Sequence, residues 1–184
     1  SSSLYDGMVP TARLKDKDIY RHIVSLLVDN ESGVLARVIG MVAGRGYNIE
    51  SLTVSEVDRE RKLSRINLAT LGTHQVIEQV KAQLGRLVPV RVVRDLTDDG
   101  PSVARELALV KVAGVGDKRV EALRIGDIFR ANVVDSSTRS FVFEVVGNTE
   151  KVDAFIDLMN PLGLVEVSRT GVAAIARGAR GIDE

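Results

Sequence analysis

The sequence predicts an α+β protein built from two βαββαβ units in tandem. Three observations predict it. Apolar residues alternate between strand and helix periods in the order β-α-β-β-α-β. A run of turn formers, Thr97-Asp98-Asp99-Gly100-Pro101, interrupts the pattern near the middle of the chain. After that run the order repeats at a nearly constant offset.

Each element has its own signal. Residues 1–18 are polar, mixed in sign and aperiodic, and read as a flexible N-terminal arm. Ile19 to Val28 is short, β-branched and apolar, hence a strand. Val34, Leu35, Val38, Ile39 and Val42 recur at helical spacing, with Gly44 and Gly46 as a stop. Tyr47 to Val57 is a second strand, and Asp58 to Lys62 a charged turn. Leu63 to Leu71 is a third strand, with Ile66, Leu68 and Thr70 on one side and Arg65 and Asn67 on the other. Val76, Ile77, Val80 and Leu84 form a helical stripe begun by Thr73 as a cap. Leu87 to Leu96 closes the unit, with Val88, Val90 and Val92 expected on one face.

The second unit reads as strand Leu107 to Ala113 and then helix Asp117 to Arg130, with Val120, Leu123 and Ile128 inward. Strands Ala131 to Ser136 and Phe141 to Gly147 follow. Val152, Phe155, Ile156 and Met159 mark the last helix, and Leu164 to Ala176 the last strand. Gly72, Val80, Leu84, Leu87, Val90 and Val92 find Gly147, Phe155, Met159, Leu162, Val165 and Val167 at a constant spacing of 75 residues. Asn48 finds Asn132 at 84, so the second copy has a shorter turn between its middle strands. The expected division is 19–97 for the first unit, 98–102 for a linker, 103–178 for the second unit and 179–184 for a tail. Each unit is expected to be ferredoxin-like, a four-stranded antiparallel sheet with two helices on one face. The bare sheet face and strand edges need cover, so a homodimer is expected.

Composition narrows the chemistry. The 184 residues are 45% apolar but only 4% aromatic, with no Trp, so Val, Leu, Ile and Ala must build the cores. No Cys is present, which excludes disulfides and thiolate chemistry. With two His, a zinc site would depend on carboxylates. Lys plus Arg and Asp plus Glu are 25 each, and neither half is basic, which argues against a nucleic-acid partner. No apolar run approaches the ~20 residues that span a bilayer. With no signal-peptide pattern, a cytoplasmic location is expected.

The informative stretch is Asp29-Asn30-Glu31-Ser32-Gly33-Val34-Leu35, which joins the first strand to the first helix. Unpaired N–H groups at a helix start favour a carboxylate. Gly33 admits a ligand without a Cβ in the way. Asn30 can donate or accept, and Val34 and Leu35 offer an apolar wall. The set suits a small zwitterion with an aliphatic side chain. The competing reading is that Asn30 and Ser32 only cap the helix. Asn48, at the start of the next strand, could complete such a site within the chain or across a dimer, or merely pair with loop backbone.

Other features carry less. His22 and His74 read as structural or solvated. Glu56, Asp58 and Glu60 are interleaved with Arg59, Arg61 and Lys62, which suits a solvated turn better than a metal. Gly44-Arg45-Gly46 and Gly114-Val115-Gly116 lack the rest of a dinucleotide fingerprint. There is no nucleophile–base–orienter set, so no catalytic residues and no resident metal or cofactor are expected.

Residues 19–72 resemble the ACT-type amino-acid-binding domain. The stretches Asn30-Glu31-Ser32-Gly33-Val34-Leu35 and Arg45-Gly46-Tyr47-Asn48-Ile49-Glu50-Ser51-Leu52 closely resemble the regulatory small subunits of acetolactate (acetohydroxyacid) synthase. The likeness continues through Leu63-Ser64-Arg65 and Ala108 to Val112, and covers about 19–178. Where many ACT domains have Pro before the turn glycine, this chain has Ser32. The resemblance implies a non-catalytic subunit that docks on a large catalytic subunit using thiamine diphosphate, Mg²⁺ and usually FAD. It implies activation of that partner and feedback inhibition by a branched-chain amino acid, usually valine, otherwise leucine or isoleucine. It places the effector between two N-terminal domains, with Asn30 and Gly33 and the backbone of Glu31, Ser32, Val34 and Leu35 on its polar end. Asn48 and Ile49 would come from the partner chain. The second unit has Gly114-Val115-Gly116-Asp117 in place of the Asn-Glu-Ser-Gly turn, so no effector site is expected there. The alternatives are a free-standing ACT-type amino-acid sensor and an RNA-binding ferredoxin-like domain, the latter suggested by Arg139-Ser140-Phe141-Val142-Phe143.

Overall fold

The computed structural model describes residues 18–184; all of the expected N-terminal arm except Asp18 lies outside the described residues. The order is β1 (Tyr20–Asp29), α1 (Val34–Gly44), β2 (Asn48–Asp58), β3 (Leu63–Gly72), α2 (His74–Leu84), β4 (Val90–Asp95), β5 (Ser102–Val112), α3 (Asp117–Ile128), β6 (Asn132–Ser136), β7 (Phe141–Gly147), α4 (Thr149–Met159), β8 (Leu164–Arg169) and β9 (Ala173–Ala176). A 3-10 turn, Asn160–Leu162, links α4 to β8. The chain forms two compact units. One runs to Ser102 and takes in Ala176–Glu184; the other is Val103–Ile175. The α+β tandem of βαββαβ units is therefore the fold.

In the first unit the antiparallel sheet has the order β2-β3-β1-β4. Strand alternation sends Val24, Leu26 and Val28 of β1 to the same face as Leu68 and Ile66, their neighbours on β3. Val34, Val38 and Val42 of α1 and Ile77, Val80 and Leu84 of α2 complete that core. On the other face, Arg65 Nε donates to Ser25 Oγ at 2.9 Å. Ser25 Oγ donates to Asn67 Oδ1 at 2.9 Å, and Asn67 Nδ2 to Thr53 Oγ1 at 3.1 Å. The two-sided reading of β3 holds.

The reading of the fourth strand does not hold. A bulge between Leu27 and Val28 pairs Leu27 with Val92 and Val28 with Val90, so Val90 and Val92 fall on opposite faces. Val88 precedes the strand and is 93% exposed.

The second unit has the order β6-β7-β5-β8, with β9 also pairing β5. Its helix-facing core is Ala108, Val110, Val112, Phe141, Phe143, Val145, Val152, Phe155 and Met159 with Ala122 and Ile125. Two expectations change here. The stretch 164–176 is two strands, because the chain bends at Gly171, which has a φ of 83°. The sheet therefore has five strands, and β5 begins at Ser102 rather than Leu107.

The inward face of α3 is also different. Val120 and Ile128 are 68% and 64% exposed and Leu123 is exposed, whereas Ala122, Ile125 and Gly126 are buried. The cause is steric. A Cβ on Gly126 would lie 2.5 Å from the Phe143 ring, so α3 meets that ring through Gly126, with Ala122 and Ile125 beside it, and the larger Val120, Leu123 and Ile128 turn away. Those rings pack edge to face, Phe141 with Phe143 and Phe143 with Phe155. Phe141 and Phe143 are thus core residues and offer no ring on which a base could stack.

Candidate functional site

The β1–α1 connection is held by the backbone on both sides. Asp29 N–H donates to Pro89 O at 2.8 Å, Asn30 N–H to Lys62 O at 2.8 Å and Glu31 N–H to Asp29 O at 2.9 Å. Gly33 then takes a φ of 83°, the left-handed conformation that turns the chain into α1. No side chain caps α1 and its first turn holds no acid. Thr73 and Asn148, by contrast, cap α2 and α4 through their side chains. The capping alternative for Asn30 and Ser32 is therefore not realised. Asn30 Nδ2 instead donates to Glu56 Oε2 at 2.9 Å, which ties the loop to the far end of β2.

A Cβ built on Gly33 would meet nothing within 4 Å. Asn30, Glu31, Ser32 and Leu35 are exposed around it, while Val34 is buried and anchors the helix. The arrangement is an open, positively polarised helix end without an anion of its own.

Asn48 and Ile49 lie elsewhere. Asn48 pairs with Leu71 and Ile49 with Thr70, whereas Asp29, beside the turn, pairs with Leu63. Eight steps along β3 separate the two levels, about 26 Å at ~3.3 Å per strand residue. One chain does not bring Asn30 and Asn48 together. Asn48 is exposed, and its carbonyl accepts a hydrogen bond from Thr70 Oγ1. Ile49 is half-buried and packs on the core edge.

The acidic turn is a set of exposed ion pairs, Arg59 with Glu56 at 3.4 Å and Arg61 with Asp58 at 4.0 Å. A second polar constellation escaped the sequence reading. His22, fully buried on β1, places Nδ1 2.9 Å from Asp95 Oδ2 and 3.6 Å from Asp98 Oδ2. His74, the first residue of α2, places its Nδ1 2.9 Å from the same Asp98 oxygen. Tyr20 Oη donates to Asp98 at 3.0 Å, and Thr97 N–H to Asp95 Oδ1 at 3.0 Å. Burial alone would push the Asp98 carboxyl up. The hydrogen bonds from His74 and Tyr20 and the neighbouring imidazoles outweigh it and hold that carboxyl below its ordinary value. The available signal was topological: β1 pairs β4 with Val24 opposite Asp95, which carries the start of the turn-forming run up to His22.

Residues 24–92 match the family described as the AHAS small subunit-like ACT domain, and residues 105–178 the family described as the small subunit of acetolactate synthase. The probable acetolactate synthase small subunit of Archaeoglobus fulgidus is 46% identical over 158 residues, 86% of this chain and 98% of that protein. The acetolactate synthase isozyme 3 small subunit of Escherichia coli is 42% identical over 159 residues, 86% of this chain and 96% of that one. The crystal structure of the acetolactate synthase small subunit from Thermotoga maritima superposes with a TM-score of 0.76 at 36% identity. It covers 88% of this chain and 99% of that one.

Proposed function

This chain belongs to the family of acetolactate synthase small subunits, the regulatory partners of that enzyme's catalytic subunit, and from this premise we propose how its regulation is exerted. A branched-chain amino acid, valine first among them, docks its carboxylate on the N–H groups that open α1 at Gly33. Asn30 hydrogen-bonds its charged end, and the aliphatic side chain lies against Leu35. A second copy of the chain supplies Asn48 and Ile49, so that the ligand is held at the seam of a homodimer. The chemistry itself, with thiamine diphosphate, Mg²⁺ and FAD, belongs to the catalytic subunit in the cytoplasm.

The observation that carries this reading is the uncapped, acid-free start of α1 behind a glycine with open space around it. The separation of Asn48 from Asn30 along β3 supports a contribution from a second copy. Regulation requires the effector to bind the inhibited and the active assembly with different affinity, a difference of about 1–3 kcal/mol for a useful response. Leucine differs from valine by one methylene, so discrimination should be graded, roughly 10–200-fold at most.

Titration calorimetry of valine into wild type and Gly33→Asp tests the placement. The variant puts bulk and negative charge where the carboxylate docks, and its valine affinity should fall below detection while its circular dichroism stays native. Undiminished valine affinity would refute the placement. Mixing the chain with the catalytic subunit and assaying acetolactate with each amino acid tests the regulation. A free-standing amino-acid sensor would leave that rate untouched.

A further inference from the structure

We propose that His22, His74, Asp95 and Asp98 form a binding site for one first-row divalent transition-metal cation, with zinc the best fit. Three segments far apart in sequence converge here: β1, the first residue of α2, and the end of β4 with the turn that follows it. Facing donor atoms stand 2.9, 3.6 and 2.9 Å apart, and those of His22, Asp95 and Asp98 all lie within 4.8 Å of one another. A tetrahedral cation with ligands at about 2.0–2.1 Å needs donor separations of about 3.3 Å. Small movements bring His22, Asp95 and Asp98 to that requirement, and His74, which faces Asp98 alone, must turn inward to become the fourth ligand.

The chemistry of the set points the same way. Two imidazole nitrogens and two carboxylate oxygens suit zinc, cobalt or nickel; calcium and magnesium prefer an all-oxygen shell. This is not an exposed acidic patch. Asp95 and His22 are fully buried, and the Asp98 side chain is 13% exposed. The Nδ1 of His22 carries at most one hydrogen yet faces two carboxylate oxygens. Two carboxylates gathered out of water need compensating positive charge, and a divalent cation supplies it.

Asp95 is oriented from behind, as metal ligands are: Thr97 N–H donates to its second oxygen. Tyr20 Oη stands 3.0 Å from both Asp98 oxygens and would give up the one facing the ion. His74, at the partly exposed side, offers the path by which an ion enters. Once bound, the ion would pin residues 95–98 to β1 and α2.

The test uses the untagged full chain, stripped with chelator and dialysed. Zinc titration calorimetry should show one saturable site per chain. Cobalt should give the intense visible absorption of a tetrahedral complex. Asp98→Asn and His74→Gln, both at partly accessible positions, should each weaken zinc binding by about tenfold or more. Asp99→Asn, a nearby acid outside the set, should leave it unchanged. Absence of saturable binding to the folded wild type, a pale octahedral cobalt spectrum, or equal binding by an Asp98→Asn/His74→Gln double variant would each overturn the proposal. The cluster would then be a hydrogen-bonded clasp only.

Discussion

At the scale of single residues, Asp98 and Gly33 show how far one side chain can be made to report. The Asp98 carboxyl is held below its ordinary value because hydrogen bonds from His74 and Tyr20 outweigh the cost of burial. A depressed carboxyl stabilises the fold above its unfolded pKa of about 3.9 and loses that contribution as pH falls through the folded value. In chelator, wild type should therefore exceed Asp98→Asn in stability at pH about 6, and the gap should close towards pH ~3. Urea denaturation at both values reads it, and an equal gap at both would show that the charged form is not what matters. Gly33 separates strain from occupancy. At a φ of 83° any L side chain costs about 1–2 kcal/mol, yet a Cβ there meets no atom of the chain. Gly33→Ala should thus lose about that much stability and keep part of its valine affinity, whereas Gly33→Asp should lose binding altogether. Identical affinities for the two variants would remove the carboxylate from that position.

At the scale of elements, the sequence was most legible where one face is buried and the other wet. Val34, Val38 and Val42 spell out α1, and Ile77, Val80 and Leu84 spell out α2, because helix period and burial agree. It was least legible at α3, where size rather than polarity decides the face. Phe141 and Phe143 occupy the volume beneath the helix, so Ala122 and Gly126 turn inward and Val120 and Ile128 outward. Apolar periodicity cannot reveal that, since it depends on which rings the opposite sheet presents. The consequence is measurable. Gly126→Leu should destabilise by about 1–3 kcal/mol through overpacking against Phe143. Val120→Ala should stay within ±0.5 kcal/mol, roughly, as a surface change. The reverse order in thermal denaturation would restore the face expected from periodicity. The bulge at Leu27/Val28 is illegible in the sequence for a related reason: one inserted residue in β4 flips the side chains beyond it, and no residue type announces it.

At the scale of the whole molecule, the two units share a topology but not a chemistry, and the difference lies at one helix start. Gly33 opens α1 into free space with no acid in the first turn. Gly116 opens α3 with Asp117 in its first turn, so the second unit carries its own negative charge where a ligand carboxylate would dock. Space at the glycine does not separate the two, since a Cβ on Gly116, like one on Gly33, would meet nothing within 4 Å; the crowding of the second unit lies two residues earlier. A Cβ on Gly114 would collide with the Leu162 carbonyl, and Ala113 N–H donates to Gly163 O at 2.8 Å. The offset repeat was visible in the sequence, and so was the missing Asn-Glu-Ser-Gly turn. The packing of residues 162–163 against Gly114 was not, because it depends on the 3-10 turn that follows α4. Hydrogen exchange on the full chain should therefore be asymmetric. Saturating valine should slow exchange at the amides of 34–36 and around 48–49, and leave those of 115–118 at their ligand-free rates. Equal protection of both helix starts would mean that the ligand reads the shared topology rather than the first-turn charge that distinguishes the two units.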